Sequence, residues 1–112
     1  MHIYHNNDLN YKVRVYGNMK VDGTVMSSSD IRIKTEIKKI DNALDKICKL
    51  NGITYENKTN GNRRETGLIA QEVKEIIPEA VYEDERGYLN IAYGNLMGIM
   101  VEAIKEIKLL IK

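Results

Sequence analysis

The apolar positions along this chain change period from one stretch to the next, and each period predicts an element. Tyr11, Val13 and Val15 alternate with Lys12, Arg14 and Tyr16, the period of two expected of a half-buried strand. Gly17-Asn18 signals a turn, Met19-Lys20-Val21 a second short strand, Asp22-Gly23 another turn, and Thr24-Val25-Met26 a third strand. Three short strands broken by glycine turns are too little for an independent fold. They read either as a meander packed on the downstream domain or as the last rungs of an intertwined fibrous stalk. Met1 to Asn10 is polar and reads as an irregular start.

From Ile33 the period becomes helical. Ile33, Ile37, Ile40, Leu44 and Ile47 recur in steps of four, three, four and three, leaving Lys38, Lys39, Asp41, Asp45, Lys46 and Lys49 on the polar face. Thr35 is the expected N-cap and Asn51-Gly52 the left-handed stop. Ile53 to Glu56 reads as a strand, and Asn57 to Glu65 as a polar loop with Asn60-Gly61, either a hairpin tip or a flexible excursion. Gly67 to Ala70 enters as strand or turn. Gln71 to Ile77 is then a short helix with Val73, Ile76 and Ile77 on one side, ended by Pro78. Val81-Tyr82, the turn Asp84 to Gly87, and Tyr88 to Ile91 predict a hairpin.

The last helix spans about Tyr93 to Lys112. Leu96, Met100, Ala103, Ile107 and Leu110 form one stripe, assigned to self-association; Met97, Val101, Ile104 and Ile111 form a second beside it. One stripe can face the domain while the other meets a copy of the chain, although simple burial under the strands is the plainer alternative. The fold class is α+β, with short strands leading into a small helix and hairpin domain that ends in a long helix.

Composition narrows the chemistry. A chain of 112 residues is one domain at most with a short appendage, and it buries only part of its surface alone. Net charge of +1 gives no electrostatic argument for nucleic acid or an acidic membrane as a partner. All seven aromatic residues are tyrosine, so Ile, Leu, Val and Met must build the core. Cys48 stands alone, which excludes an intrachain disulfide and suits a reducing cytoplasm; at an apolar helical position it reads as core packing. His2, His5 and Cys48 lack metal-ligand spacing, and no glycine-rich phosphate loop precedes a helix, so neither metal nor cofactor is expected. No apolar run is long enough to span a bilayer or serve as a signal peptide.

What remains is Ser27-Ser28-Ser29-Asp30-Ile31-Arg32-Ile33-Lys34, and downstream of it Gly67-Leu68-Ile69-Ala70-Gln71-Glu72, a helix, Pro78-Glu79, a hairpin, a tyrosine and the long helix. A serine five residues before a lysine means nothing by itself. In this order, over residues 27 to 112, the two signatures resemble the intramolecular chaperone auto-processing domain. That domain is found at the C-terminus of phage tailspikes, tail fibres and neck appendages, and in myelin regulatory factor. The resemblance implies a homotrimer whose chaperone domain, residues 29–112, guides an upstream stalk, here residues 1–28, and then releases itself in the host cytoplasm. It implies Ser29 as nucleophile and Lys34 as general base, with cleavage at the Ser28, Ser29 and Asp30 step. Ile31 departs mildly from the bulky or basic residue often found at its position. A structural foot that never cuts, and the same module in a membrane-tethered transcription factor, are the competing readings. Ending in a polar-flanked helix at Lys112 suits a fibre better.

Elementary chemistry sets two conditions on such a pair. A lysine amine is neutral in only about one molecule in 2,500 at pH 7, so a base must have its proton affinity lowered roughly a thousandfold, about 4 kcal/mol. Arg32 is either the cation that does this or the anchor of Asp30; Gln71 and Glu72 either support the pair or cap the short helix. Geometry is the second condition. In a strand the two residues lie roughly 16 Å apart on opposite faces, and in a helix about 140° apart around the axis. The segment must therefore bend sharply, or one chain's lysine must meet another chain's serine. Ring size favours attack by Ser29 on the carbonyl of Ser28, through a five-membered ring, over attack on its own carbonyl.

Overall fold

The computed structural model describes residues 11–111, so the irregular start expected at Met1 to Asn10, with His2 and His5, lies outside the described residues. Helix α1 (Ala43–Cys48) leads into a hairpin of β1 (Ile53–Asn57) and β2 (Arg63–Gly67). Helix α2 (Ala70–Ile76) comes next, then a 3-10 turn at Pro78–Ala80, a second hairpin of β3 (Val81–Glu83) and β4 (Leu89–Ile91), and helix α3 (Met97–Leu110) entered through a 3-10 turn at Tyr93–Leu96. Both hairpins are antiparallel, with Tyr55 opposite Glu65 and Tyr82 opposite Asn90. The fold is α+β, as the periodicities imply.

The core lies where α1, α2 and the first half of α3 meet. Ala43, Val73, Ile77, Ala80, Leu96, Ile99 and Ala103 are buried, and Leu44, Ile47, Leu68, Val81 and Ile91 close around them. Small side chains at Ala43 and Ala103 let α1 pack closely on α3, Ala80 is buried in the 3-10 turn after α2, and among the described residues Val73 is the largest side chain fully enclosed. Pro78 ends α2 as expected. Beyond it, Asn95 Nδ2 donates to the Glu79 carbonyl at 3.2 Å and Ala92 N–H to the Ala80 carbonyl at 2.8 Å, tying the start of α3 to the end of α2.

Several expectations are corrected. Residues 11–28 form no strand: Val13, Val15, Met19, Val21, Val25 and Met26 are exposed, and among the described residues none pairs with them in a ladder. The helix expected from Ile33 to Ile47 exists only as α1. Glu36 and Asn42 both take left-handed backbone angles, at φ of 51° and 50°, which break any helix passing through them, and Ile33 and Ile37 stay exposed. Thr35 therefore caps nothing. Asn42 stands at the start of α1 without a side-chain cap; the Glu106 carboxylate on α3 takes that role, accepting from Ala43 N–H at 2.8 Å and Leu44 N–H at 3.2 Å. The left-handed stop is absent: α1 ends at Lys49 in right-handed backbone (φ −88°, ψ −9°), and neither Asn51 nor Gly52 takes a positive φ. Cys48, expected in the core, is exposed, because the short α1 turns that position away from α3. On α3, the assigned association stripe is divided. Leu96 and Ala103 belong to the chain's own core, joined by Ile99 from outside both expected stripes, while Met100, Ile107 and Leu110 face outward.

Gly67 explains part of the second signature. A Cβ built there would lie 2.7 Å from the Tyr93 hydroxyl, which also accepts from Leu68 N–H at 3.2 Å. The end of β2 and the start of α3 can touch only because Gly67 has no side chain. Gly67→Ala should lower stability by about 1–3 kcal/mol through this overpacking. Removing the hydroxyl as well, in Gly67→Ala/Tyr93→Phe, should recover part of that loss. Urea midpoints of the two variants check this, and an unchanged midpoint for Gly67→Ala would refute the close approach.

Candidate self-cleavage site

The site is a single tight turn between two extended ends. Asp30 is extended (φ −64°, ψ 138°), Ile31–Ile33 make one 3-10 turn, and Lys34 is extended again (φ −112°, ψ 141°). Two backbone bonds close the turn, Ile33 N–H to the Asp30 carbonyl and Lys34 N–H to the Ile31 carbonyl, each at 3.1 Å. Asp30 reinforces it from its side chain. One carboxylate oxygen accepts from Arg32 N–H at 2.8 Å and from Arg32 Nε at 3.0 Å, and the other accepts from Arg32 Nη2 at 2.9 Å. These bonds hold the Asp30 carboxyl below the usual carboxylate range.

The consequence lies at the two ends. Lys34 Nζ donates to Ser29 Oγ at 2.7 Å. Neither regular conformation permits that contact at an offset of five, and the turn does so within one chain. A hydroxyl held against an amine is the arrangement from which a serine can be activated for acyl transfer. Both residues are solvent-exposed in the single chain, as is Ser28. Ile31 and Ile33 beside them are 72% and 65% exposed, an apolar rim next to a polar pair.

The other expected residues divide. Arg32 is the anchor of Asp30, engaged through its backbone and two guanidinium nitrogens. Gln71 and Glu72 have no hydrogen bond to Ser29 or Lys34; Gln71 is exposed on α2, and Glu72 accepts from Asn51 Nδ2 at 3.2 Å. Two carboxylates not singled out by their sequence surroundings hold more than expected. One is Glu106, the cap of α1. The other is Glu85, in the turn between β3 and β4. It accepts from the Tyr11 hydroxyl and from Arg14 Nη1 at 2.6 Å, so the segment upstream of Ser29 is fastened to a hairpin far downstream. An acidic residue in a hairpin turn carries no local signal of that kind.

The layout is a small α+β module led by a serine–lysine turn, with a strap running from that turn to a helical core. Residues 29–82 match the peptidase S74 family model described as the chaperone of endosialidase, and the chain belongs to that family. The matched region begins at Ser29 itself. Membership implies autoproteolytic activity. The long tail fiber protein Gp37 of Escherichia phage AR1 is 41% identical over 87 residues, covering 70% of this chain and 8% of the phage protein. That of Enterobacteria phage T2 is 39% identical over 92 residues, covering 75% of this chain and 7% of its own length. Myelin regulatory factor homolog 1 of Caenorhabditis elegans is 31% identical over 107 residues, covering 86% of this chain and 11% of the worm protein. The chain thus corresponds to a small part of each of these relatives.

Proposed function

We propose that this chain is the C-terminal intramolecular chaperone of a phage tail-fibre type protein, which assembles as a homotrimer, sets the register of an upstream stalk, and then cuts itself free at Ser29. The observation that carries the reading is the 2.7 Å contact between Lys34 Nζ and Ser29 Oγ in a chain of the chaperone-of-endosialidase family. Residues 1–28 are the end of the stalk and residues 29–112 the chaperone. The exposed Val13, Val15, Met19, Val21, Val25 and Met26 suit a segment that finds its strand partners in two other copies.

Neutral Lys34 Nζ takes the Ser29 Oγ proton as Oγ attacks the carbonyl carbon of Ser28 through a five-membered ring. The carbon–nitrogen bond of the Ser28–Ser29 peptide breaks, and the nitrogen leaves as an amine after receiving a proton from Lys34. Water then hydrolyses the ester, leaving a carboxylate at Ser28 and a free amine and hydroxyl at Ser29. The lysine amine becomes neutral only where it is desolvated. Burial of Ile31, Ile33 and Ile37 between chains supplies that environment, so cutting reports completed assembly. The freed stalk loses its register-setting clamp and is trapped by an unfolding barrier. Assembly and cutting take place in the host cytoplasm, and the upstream part goes to the virion.

The match to the worm regulatory factor supports a second reading, the same self-cutting module within a membrane-tethered transcription factor. It predicts the same cut, and the two differ only in the polypeptide joined to the module. The direct test is an intact-mass spectrum of the purified chain after assembly. The expected result is two species, residues 1–28 and 29–112. A single full-length mass from a confirmed trimer would leave a structural foot that does not cut.

A further inference from the structure

We infer that Asp30 and Arg32 are a positioning pair for the cut: their forked ion pair sets the 3-10 turn that delivers Lys34 Nζ to Ser29 Oγ, an inference that rests on the Ser29–Lys34 reading. Four residues separate Ser29 from Lys34, and between them only two backbone hydrogen bonds hold the bend. A turn this short, with Ile31 and Ile33 exposed, has no buried side chain to keep it bent. The Asp30 carboxylate supplies what packing does not. It joins the residue that opens the turn to its middle through three bonds of 2.8, 3.0 and 2.9 Å, one to backbone and two to the guanidinium fork.

Electrostatics points the same way. A free guanidinium two residues from the amine would favour loss of the lysine proton by like-charge repulsion. Here both Asp30 oxygens are engaged with Arg32, so its charge is neutralised locally and its fork is committed to the turn. The pair acts through Lys34 and Ser29 rather than on the reacting atoms. Lysine in place of Arg32 keeps the charge and loses the planar fork, so charge and shape can be separated.

The test compares Asp30→Asn, Arg32→Lys and the double variant on the full chain, with Ser29→Ala and Lys34→Ala in parallel. Each is followed by sedimentation for assembly and by mass for the fraction cut across a pH series. With the trimer unchanged, Asp30→Asn and Arg32→Lys should each slow cutting about 10–100-fold, the loss expected when a base is displaced by about an ångström. The double variant should be no slower than the slower single, because one interaction is removed twice. The pH at which the rate rises should not move. Wild-type rates in either single variant, or losses that multiply in the double, overturn the inference. So does an Asp30→Asn chain that cuts faster with its profile moved to lower pH, which would make Arg32 an electrostatic activator. If Lys34→Ala cuts at the wild-type rate, the Ser29–Lys34 reading itself fails. If Ser29→Ala and Lys34→Ala stay whole while Asp30→Asn and Arg32→Lys cut normally, only the positioning role fails.

Discussion

Ser29→Ala and Lys34→Ala should each give a chain of full mass that still folds and still assembles. Neither side chain enters the core formed by Ala43, Val73, Ile77, Ala80, Leu96, Ile99 and Ala103, and both are exposed on the turn. Their removal therefore costs little stability. The effect on cutting is far larger. Without the Ser29 hydroxyl no five-membered ring can close on the Ser28 carbonyl, so the reaction is abolished rather than slowed. Without the Lys34 amine the hydroxyl keeps its proton, and loss of a general base costs about 10²–10⁴-fold. Lys34→Arg sharpens the comparison. A guanidinium preserves the charge and can donate to Ser29 Oγ, but it does not give up its proton in a protein, so it cannot act as the base. The Lys34→Arg chain should be as inert as the alanine variant. Quantifying full-length and cut masses over a time course decides the matter, and wild-type cutting by any one of the three variants would end the dyad assignment.

Assembly should be the switch. On α3, Met97, Met100, Ile104 and Ile107 are exposed and recur in steps of three, four and three, the spacing of a helical seam. Met100→Lys places a cation in the middle of that seam in every copy. Burying an unpaired ammonium costs several kcal/mol, enough to dissociate a modest trimer. Met100 is outside the chain's own core, so the monomer's fold should survive. Ala103→Lys makes the contrast: Ala103 is 5% exposed, and a lysine there should unfold the domain itself. For Met100→Lys the expected result is a folded monomer that stays uncut, although Ser29, Asp30, Arg32 and Lys34 are all intact. Sedimentation and a cleavage time course on one sample test the coupling. A Met100→Lys monomer that cuts at the full rate would show that the turn is complete within one chain, and gating by assembly would be wrong.

Elements with local causes were legible in the sequence. Pro78 ends α2 wherever the helix packs, Gly87 takes the positive φ of 83° that the second hairpin turn needs, and the helical period of α3 survives in the structure. The candidate site residues Ser29, Asp30, Arg32 and Lys34 stand together in one short segment, but their spacing alone carried no signal and only the resemblance singled them out. Apolar spacing identifies side chains that avoid water, but not the surface that covers them. For that reason the period from Ile33 to Ile47 predicted a helix where the chain is mostly an extended strap, and the alternation from Tyr11 to Tyr16 predicted a strand without a partner. Tertiary structure decided where α1 begins, because its cap is Glu106, 63 residues away from Ala43. It also decided which α3 residues enter the core, and that Tyr93 needs the space left by Gly67. Most consequentially, it decided that Ser29 and Lys34 meet. Their separation of five fits neither regular backbone, and contact between them depends on three residues of 3-10 turn whose closure periodicity does not report.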